Sequence, residues 1–301
     1  VGVEIVECFP SVSGSLSVIG AGGTPALQDA GHHCGVGRRD RRNSRSELQY
    51  HNAMEKLGKH GARLKDLRRR VKRRPDGQVI VDGRRLVADV VRWGVPVFEL
   101  YLAEGVEPDP EIVAAAGEVY TIDPAVLDEL APTRHPQGVL AVVADPKRPP
   151  WPAREGVALW LDTVQDPGNL GAIIRSSAAL GARAVLLSPG CADPFHPASV
   201  RGSAGAVFRL PVSRDVPAAR VAERMSESSG EIWAAGPTGI PLDRWTPSLP
   251  AVILVGAEGA GLSPDALAVA GGVVTIPLDR EIESLNVAVA AGILLERLRT
   301  G

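Results

Sequence analysis

Val157-Ala158-Leu159-Trp160-Leu161-Asp162-Thr163-Val164-Gln165-Asp166-Pro167-Gly168-Asn169-Leu170-Gly171 is the stretch on which the fold of this chain turns. Residues 157–161 are an unbroken apolar run of strand length, and the Pro-Gly pair that follows marks a tight turn. The stretch reads as a strand, a turn and a helix starting at Asn169, whose side chain suits the N-cap of that helix. The helix continues through Ala172-Ile173-Ile174-Arg175-Ser176-Ser177-Ala178-Ala179-Leu180, and Arg175 is its only charge. In parallel α/β sheets ligands sit at the carboxyl ends of strands, where this turn must lie, so Arg175 is assigned to a substrate phosphate or an acidic partner.

Further apolar runs follow at 184–187, 207–212, 232–235, 251–255 and 273–276, with helical stretches between most of them. Strands alternating with helices imply crossover connections and a largely parallel sheet covered on both faces, a Rossmann-like α/β layout. The run at 251–255 leads into Gly256-Ala257-Glu258-Gly259-Ala260-Gly261-Leu262-Ser263. This spacing is neither a P-loop nor a dinucleotide fingerprint, so the glycines point to close backbone approach rather than phosphate cradling, and Glu258 is the unusual residue. Between Leu285 and Leu295 the only polar side chain is Asn286. A helix apolar all round is expected to be buried on every side, within the fold or in a subunit interface, with Ser284 as its cap and a buried, hydrogen-bonded Asn286 in its first turn.

Upstream, residues 56–74 are dense in Lys and Arg, including Arg68, Arg69, Arg70, Lys72, Arg73 and Arg74. Such a run is either a solvated helix face or a phosphate-contacting patch. Apolar runs at 79–81, 97–102 and 139–143, with helical stretches at 84–93 and 124–130, form a smaller α/β domain. It ends at the proline-rich segment 145–152, a stiff polar linker. The expected domains are 54–147 and 153–301. Residues 1–53 lack periodicity and read as a disordered tail or an over-extended start ahead of Met54. Gly20, Gly22 and Gly23 there lack the strand and helix a nucleotide site needs.

With 33 basic and 35 acidic residues, a net charge of −2 and a pI of about 6.4, any nucleic-acid surface must be local. No stretch approaches the length of apolar sequence that a membrane span needs, and a cytoplasmic location is expected. Cys8, Cys34 and Cys191 show no metal or disulfide spacing, and His32-His33-Cys34 has no second ligand group, so no metal is assigned.

The three C-terminal segments, in this order, closely resemble the three motifs of the SpoU (TrmH-like) family within the SPOUT methyltransferases, over residues 157–298. Residues 79–87 and 133–139 are similar, more loosely, to that family's small ribosomal-protein-like RNA-binding domain. This resemblance implies a C-terminal trefoil knot and a homodimer whose active site lies near the interface. It also implies S-adenosyl-L-methionine as cofactor, held by Gly256, Ile276 and Leu285 with Thr163 nearby. Carried over position by position, Asn169, Arg175, Glu258, Ser284 and Asn286 are the catalytic residues. RNA as partner favours the phosphate reading of the basic run.

The activity so implied is methylation of a ribose 2'-hydroxyl, of ribosomal RNA before transfer RNA because of the extra N-terminal domain. A guanidinium stays protonated at working pH, so Arg175 is expected to grip a phosphate and orient the hydroxyl rather than act as a base. Asn169 and Ser284 would order the neighbouring loops and Asn286 the cofactor-side backbone. The rivals are a non-catalytic RNA-binding or ribosome-assembly protein, opposed by the intact polar set, and a Rossmann dehydrogenase, opposed by the missing fingerprint.

Overall fold

Two sheets organise the molecule. The computed structural model describes residues 54–107, 109–133, 136–146, 155–280 and 282–300. The readings of residues 1–53, of Arg134 and His135, and of the segment 147–154 lie outside these.

The C-terminal lobe is built on β6 (Val157–Asp162), every residue of which is buried. A strand with no polar face must be covered on both sides, and its neighbours β10 (Ala251–Gly256) and β7 (Ala184–Leu187) are both parallel to it. With β8 (Val212–Ser213), β9 (Glu231–Pro241) and β11 (Gly272–Thr275) the all-parallel order is β11-β9-β10-β6-β7-β8. Side chains alternate across it. Leu159 and Leu161 join Leu170, Ile173 and Ile174 of α5 (Pro167–Ala179) and Ala291, Leu294 and Leu295 of α9 (Val287–Thr300). Ala158 and Trp160 face the other way, onto Val221 and Met225 of α7 (Ala218–Glu227) and Ala266 of α8 (Pro264–Val269).

The N-terminal lobe contains β1 (Glu55–Lys56), α1 (Ala62–Lys72), β2 (Gln78–Asp82), α2 (Arg84–Arg92), β3 (Val97–Ala103), α3 (Pro110–Ala115), β4 (Ala116–Ile122), α4 (Pro124–Leu130) and β5 (Val139–Ala144). Its mixed sheet runs β1-β4-β3-β5-β2, with β5 antiparallel to both neighbours. Leu64 and Leu67 of α1 pack with Tyr101, Tyr120 and α4 on one face. The opposite face, carrying Val79, Val81, Leu100 and Leu102, merges into the same apolar cluster as Leu159 and Leu161 of the C-terminal lobe.

Several expectations change. The apolar run 207–212 is not a strand: Ala206–Phe208 is one 3-10 turn with Val207 and Phe208 buried, and only Val212–Ser213 is extended. Short buried apolar runs carry no period that separates the two. β4 was hidden by Glu118 and Thr121 interrupting its apolar pattern. α9 is not buried all round: Val287, Ala291, Leu294 and Leu295 face the core while Val289 is 51% exposed. The basic run forms α1 and the turn after it, but acids from distant elements neutralise most of it. Arg63 meets Glu118 and Glu99, Arg68 meets Glu129, Arg69 meets Asp66, Arg70 meets Glu99 and Asp66, and Arg74 meets Asp193. Glu99, Glu118, Glu129 and Asp193 stand next to the run only after folding, whereas Asp66 lies within it, so much of the run's positive charge is paired inside the protein.

Candidate active site

The carboxyl ends of β6 and β10 lie side by side, with Asp162 opposite Gly256 in the register. Three loops rise from this edge and the adjoining chain.

The first loop leads into α5. Its N-cap is Asp166 rather than Asn169: the Asp166 carboxylate accepts from the Asn169 amide at 2.6 Å, with Pro167 filling the first helical position. Asn169 therefore sits inside the first turn, and its side chain is free for tertiary contacts. Gly171 lies against α6 (Pro197–Gly202): a Cβ there would stand 2.6 Å from the Ser199 carbonyl and 2.9 Å from Gly202. One turn further on, Arg175 is exposed, and no described residue pairs with it.

The second loop folds back on its strand. Gly261 donates its amide to the Ala257 carbonyl at 3.0 Å, and a Cβ on Gly256 would stand 2.2 Å from the Gly261 backbone. Glycine is obligatory at 256 for that reason. Ser263 closes the loop and caps α8 by accepting from Ala266 N at 3.3 Å.

The third loop precedes α9. Its cap is Asn286, not Ser284: the Asn286 side-chain oxygen accepts from Ala288 N at 3.0 Å and from Val289 N at 3.4 Å. Ser284 is exposed and outside this cluster. Asn286 is itself exposed, against the expectation of burial, yet fully engaged. Its side-chain nitrogen donates to Glu258 Oε1 at 2.6 Å and to Asn169 Oδ1 at 3.0 Å. Glu258 Oε1 also accepts from Asn169 Nδ2 at 3.3 Å and from the Val287 amide at 3.1 Å. One carboxylate thus joins residues 169, 258 and 286, and it sits at the α9 N-terminus, where the helix dipole favours negative charge.

Two residues that sequence reasoning left unassigned tie the loops together from below. Asp162, 3% exposed, accepts from the Ser263 amide at 2.8 Å and from Ser188 Oγ at 3.4 Å. Ser188 Oγ accepts in turn from the Thr163 amide at 2.9 Å. Thr163 has φ +51°, a conformation a β-branched residue adopts only when its surroundings enforce it. A charged residue ending an all-apolar strand was the available signal, because a buried carboxylate needs several donors. Nearby, burial pushes the Cys191 thiol pKa up despite its bonds to Ser188 and the local backbone, which disfavours the thiolate.

Of the residues expected to hold the cofactor, Gly256 and Thr163 stand at adjacent strand ends, Ile276 follows β11 and packs on the core, and Leu285 is half-buried beside Asn286. Leu278 and Ile282 near them are exposed apolar side chains at 37% and 56%. Gly259 and Gly261 have positive φ and open space where a Cβ would point. Backbone accessible at glycines, next to uncovered apolar side chains, fits a group that is part adenosine and part sulfonium-linked amino-acid chain. Among the described residues no cluster of metal-ligating side chains occurs.

A parallel α/β sheet with its polar cluster at the strand ends defines a class, an enzyme acting on a ligand laid across three converging loops. Comparison with known proteins narrows it. Residues 156–296 match the SpoU rRNA Methylase family and residues 62–141 the MRM3-like substrate binding domain. The chain is 32% identical over 235 residues to the Bacillus subtilis 23S rRNA (guanosine(2553)-2'-O)-methyltransferase RlmP, covering 78% of this chain and 94% of that protein. It is 30% identical to an uncharacterized tRNA/rRNA methyltransferase of Synechocystis, covering 78% and 89%. Among solved structures, an S-adenosylmethionine-bound rRNA methyltransferase from Sinorhizobium meliloti superposes with a TM-score of 0.72 at 28% identity, covering 82% and 98%. The SpoU methyltransferase AviRb from Streptomyces viridochromogenes, also with S-adenosylmethionine, gives 0.70 at 28%, covering 80% and 98%. The chain belongs to the SpoU family of RNA methyltransferases. The family's chemistry, methyl transfer from S-adenosylmethionine to a ribose 2'-hydroxyl, is therefore this chain's.

Proposed function

We propose that this enzyme methylates a ribose 2'-hydroxyl of ribosomal RNA, with Arg175 positioning the target nucleotide and Asn169, Glu258 and Asn286 holding the loops around it. The observation that carries this reading is the junction at Glu258, which ties three loops remote in sequence to one carboxylate at the start of the helix bearing Arg175, with which no described residue pairs. S-adenosylmethionine, when bound, supplies an activated methyl group on sulfonium. The protein's own task is alignment, which accounts for most of the barrier lowering in transfers of this kind. Arg175 lies six residues beyond Asn169 on α5, about 9 Å along the helix axis. Its guanidinium holds a phosphate in a fork of two donors and orients the neighbouring hydroxyl. Ser284, exposed at the entrance to the third loop, is placed to meet substrate rather than to cap α9.

A homodimer completes the site. Val289, Ile282 and Leu278 leave apolar surface uncovered next to the loop cluster, which a second subunit would bury. The trefoil knot belongs to the same reading: after β11 at the sheet edge the chain returns across the strand ends to pack α9 on α5, β10 and β6. An enzyme acting on ribosomal RNA would work in the cytoplasm, which is part of this reading. Ribosomal RNA is favoured over transfer RNA because the N-terminal lobe matches a substrate-binding domain and the relative RlmP is a 23S rRNA enzyme. Incubating the protein with labelled S-adenosylmethionine and separate ribosomal and transfer RNA transcripts tests this. Label at a ribose 2'-oxygen of ribosomal RNA is expected, and label confined to transfer RNA would overturn the assignment.

A further inference from the structure

A band of charged and aromatic residues lies between the two lobes. Arg74, in the turn after α1, donates from Nη2 to Asp193 Oδ2 at 2.7 Å and approaches Asp145 at 3.6 Å. Arg214, after β8, approaches the same two carboxylates at 3.8 and 3.7 Å. Phe195, 6% exposed, packs against both guanidiniums, at 5.4 Å from Arg74 and 6.0 Å from Arg214. Arg74 and Asp145 belong to the N-terminal lobe; Asp193, Phe195 and Arg214 belong to the catalytic lobe. The side chains of Arg74 and Asp145 are only 18% and 14% exposed, which makes these pairs less screened than surface ones.

A second contact lies elsewhere on the boundary. Trp93, just after α2, receives the Arg209 guanidinium over its ring at 5.6 Å, and Leu86 and Trp93 pack so closely on Gly205 that a Cβ there would meet them at 2.7 and 3.0 Å. Gly205 also has φ +78°, so both its backbone and its missing side chain serve this contact. Arg201, at the end of α6, donates to the Pro132 carbonyl at 3.2 Å. Attachments at separate places along a boundary block hinge rotation, whereas any one alone leaves an axis free.

We propose that the Arg74–Asp145–Asp193–Arg214 network is a positioning latch: it fixes the substrate-binding lobe against the catalytic lobe so that RNA held by the first is presented in register to Arg175 on the second. This rests on the reading that the N-terminal lobe carries the RNA. In this reading the four residues are positioning residues and are assigned no contact with substrate or cofactor. They act by removing the freedom of one lobe relative to the other, so bound RNA does not lose that freedom again on the way to reaction.

The test is a double-mutant cycle on the full chain with Arg74→Gln, Asp193→Asn and their combination, with Arg214→Ala as a further variant. Asp193→Asn keeps the oxygen that accepts from Phe195 N, so the local turn survives. Each single variant should raise the KM for RNA about three- to tenfold, the range for losing a partly buried ion pair, with less than additive loss in the double variant. The dissociation constant of S-adenosylmethionine, measured calorimetrically, should stay within twofold. Hydrogen exchange, which needs no activity, should quicken at residues 90–95 and 203–209. Unchanged exchange with unchanged KM overturns the latch, as does equal loss of cofactor affinity. If the wild-type protein methylates no RNA, the functional reading fails instead, and exchange alone decides whether the lobes are latched.

Discussion

Removing the Glu258 carboxylate should separate the three loops without unfolding the protein. Glu258→Ala deletes an oxygen that accepts from Asn169 Nδ2, Asn286 Nδ2 and Val287 N. Because the residue is exposed, each partner can fall back on water, and a net value of about 0.5–1 kcal/mol per bond applies rather than the larger figure for buried charge-assisted bonds. The three together hold the junction by about 1.5–3 kcal/mol. Since 1.4 kcal/mol is tenfold in rate, kcat/KM should fall roughly ten- to a hundredfold if the joined geometry is the one the transition state needs. Glu258→Gln retains an acceptor but loses negative charge at the α9 N-terminus, worth about 0.3–1 kcal/mol, so it should lose only about two- to fivefold. Labelled methyl transfer at varied RNA concentration gives kcat/KM, and a thermal melt checks folding. At about 2–4 °C per kcal/mol for a chain of this size, the midpoint should drop by about 3–12 °C while the cooperative transition is kept. An alanine variant within twofold of wild type, or a glutamine variant as impaired as alanine, refutes the argument.

Gly256→Ala should abolish cofactor binding in calorimetry, because its Cβ would stand 2.2 Å from the Gly261 backbone; retained affinity would show that the loop relaxes freely. Arg175→Lys should lower turnover severely, since a point charge cannot reproduce a fork, and near-normal turnover with unchanged RNA affinity would contradict a gripping role. Asp162→Ala leaves the Ser263 and Thr163 loops without their shared anchor and should cost about 2–4 kcal/mol in chemical denaturation, with Asp162→Asn restoring part of it. Glu231 has its pKa lowered by donation from Trp233 Nε1, opposed by burial and aided by Ser248 N. A depressed carboxylate stabilises the fold above its unfolded pKa and ceases to as pH falls through the folded value. Glu231→Gln should therefore lower the melting midpoint at neutral pH, with the gap to wild type closing in acid below the ordinary carboxylate range.

The sequence alone determined the α/β class and the parallel sheet of the C-terminal lobe. The reason is local: a strand buried on both faces, such as 157–161, must be apolar throughout, and a chain turning at a sheet edge needs Pro and Gly, so these features are written in adjacent residues. It also marked Arg175, Glu258 and Asn286 as polar or charged residues out of keeping with their neighbours. Tertiary structure decided what those residues do. Asp166 and Asn286 take the caps assigned to Asn169 and Ser284, because among several polar residues at a helix start only the backbone path selects which one meets the free amides. The basic run illustrates the same limit: Glu99, Glu118, Glu129 and Asp193 neutralise it from up to 119 residues away, and charge in a folded protein is a property of neighbours in space, not in sequence.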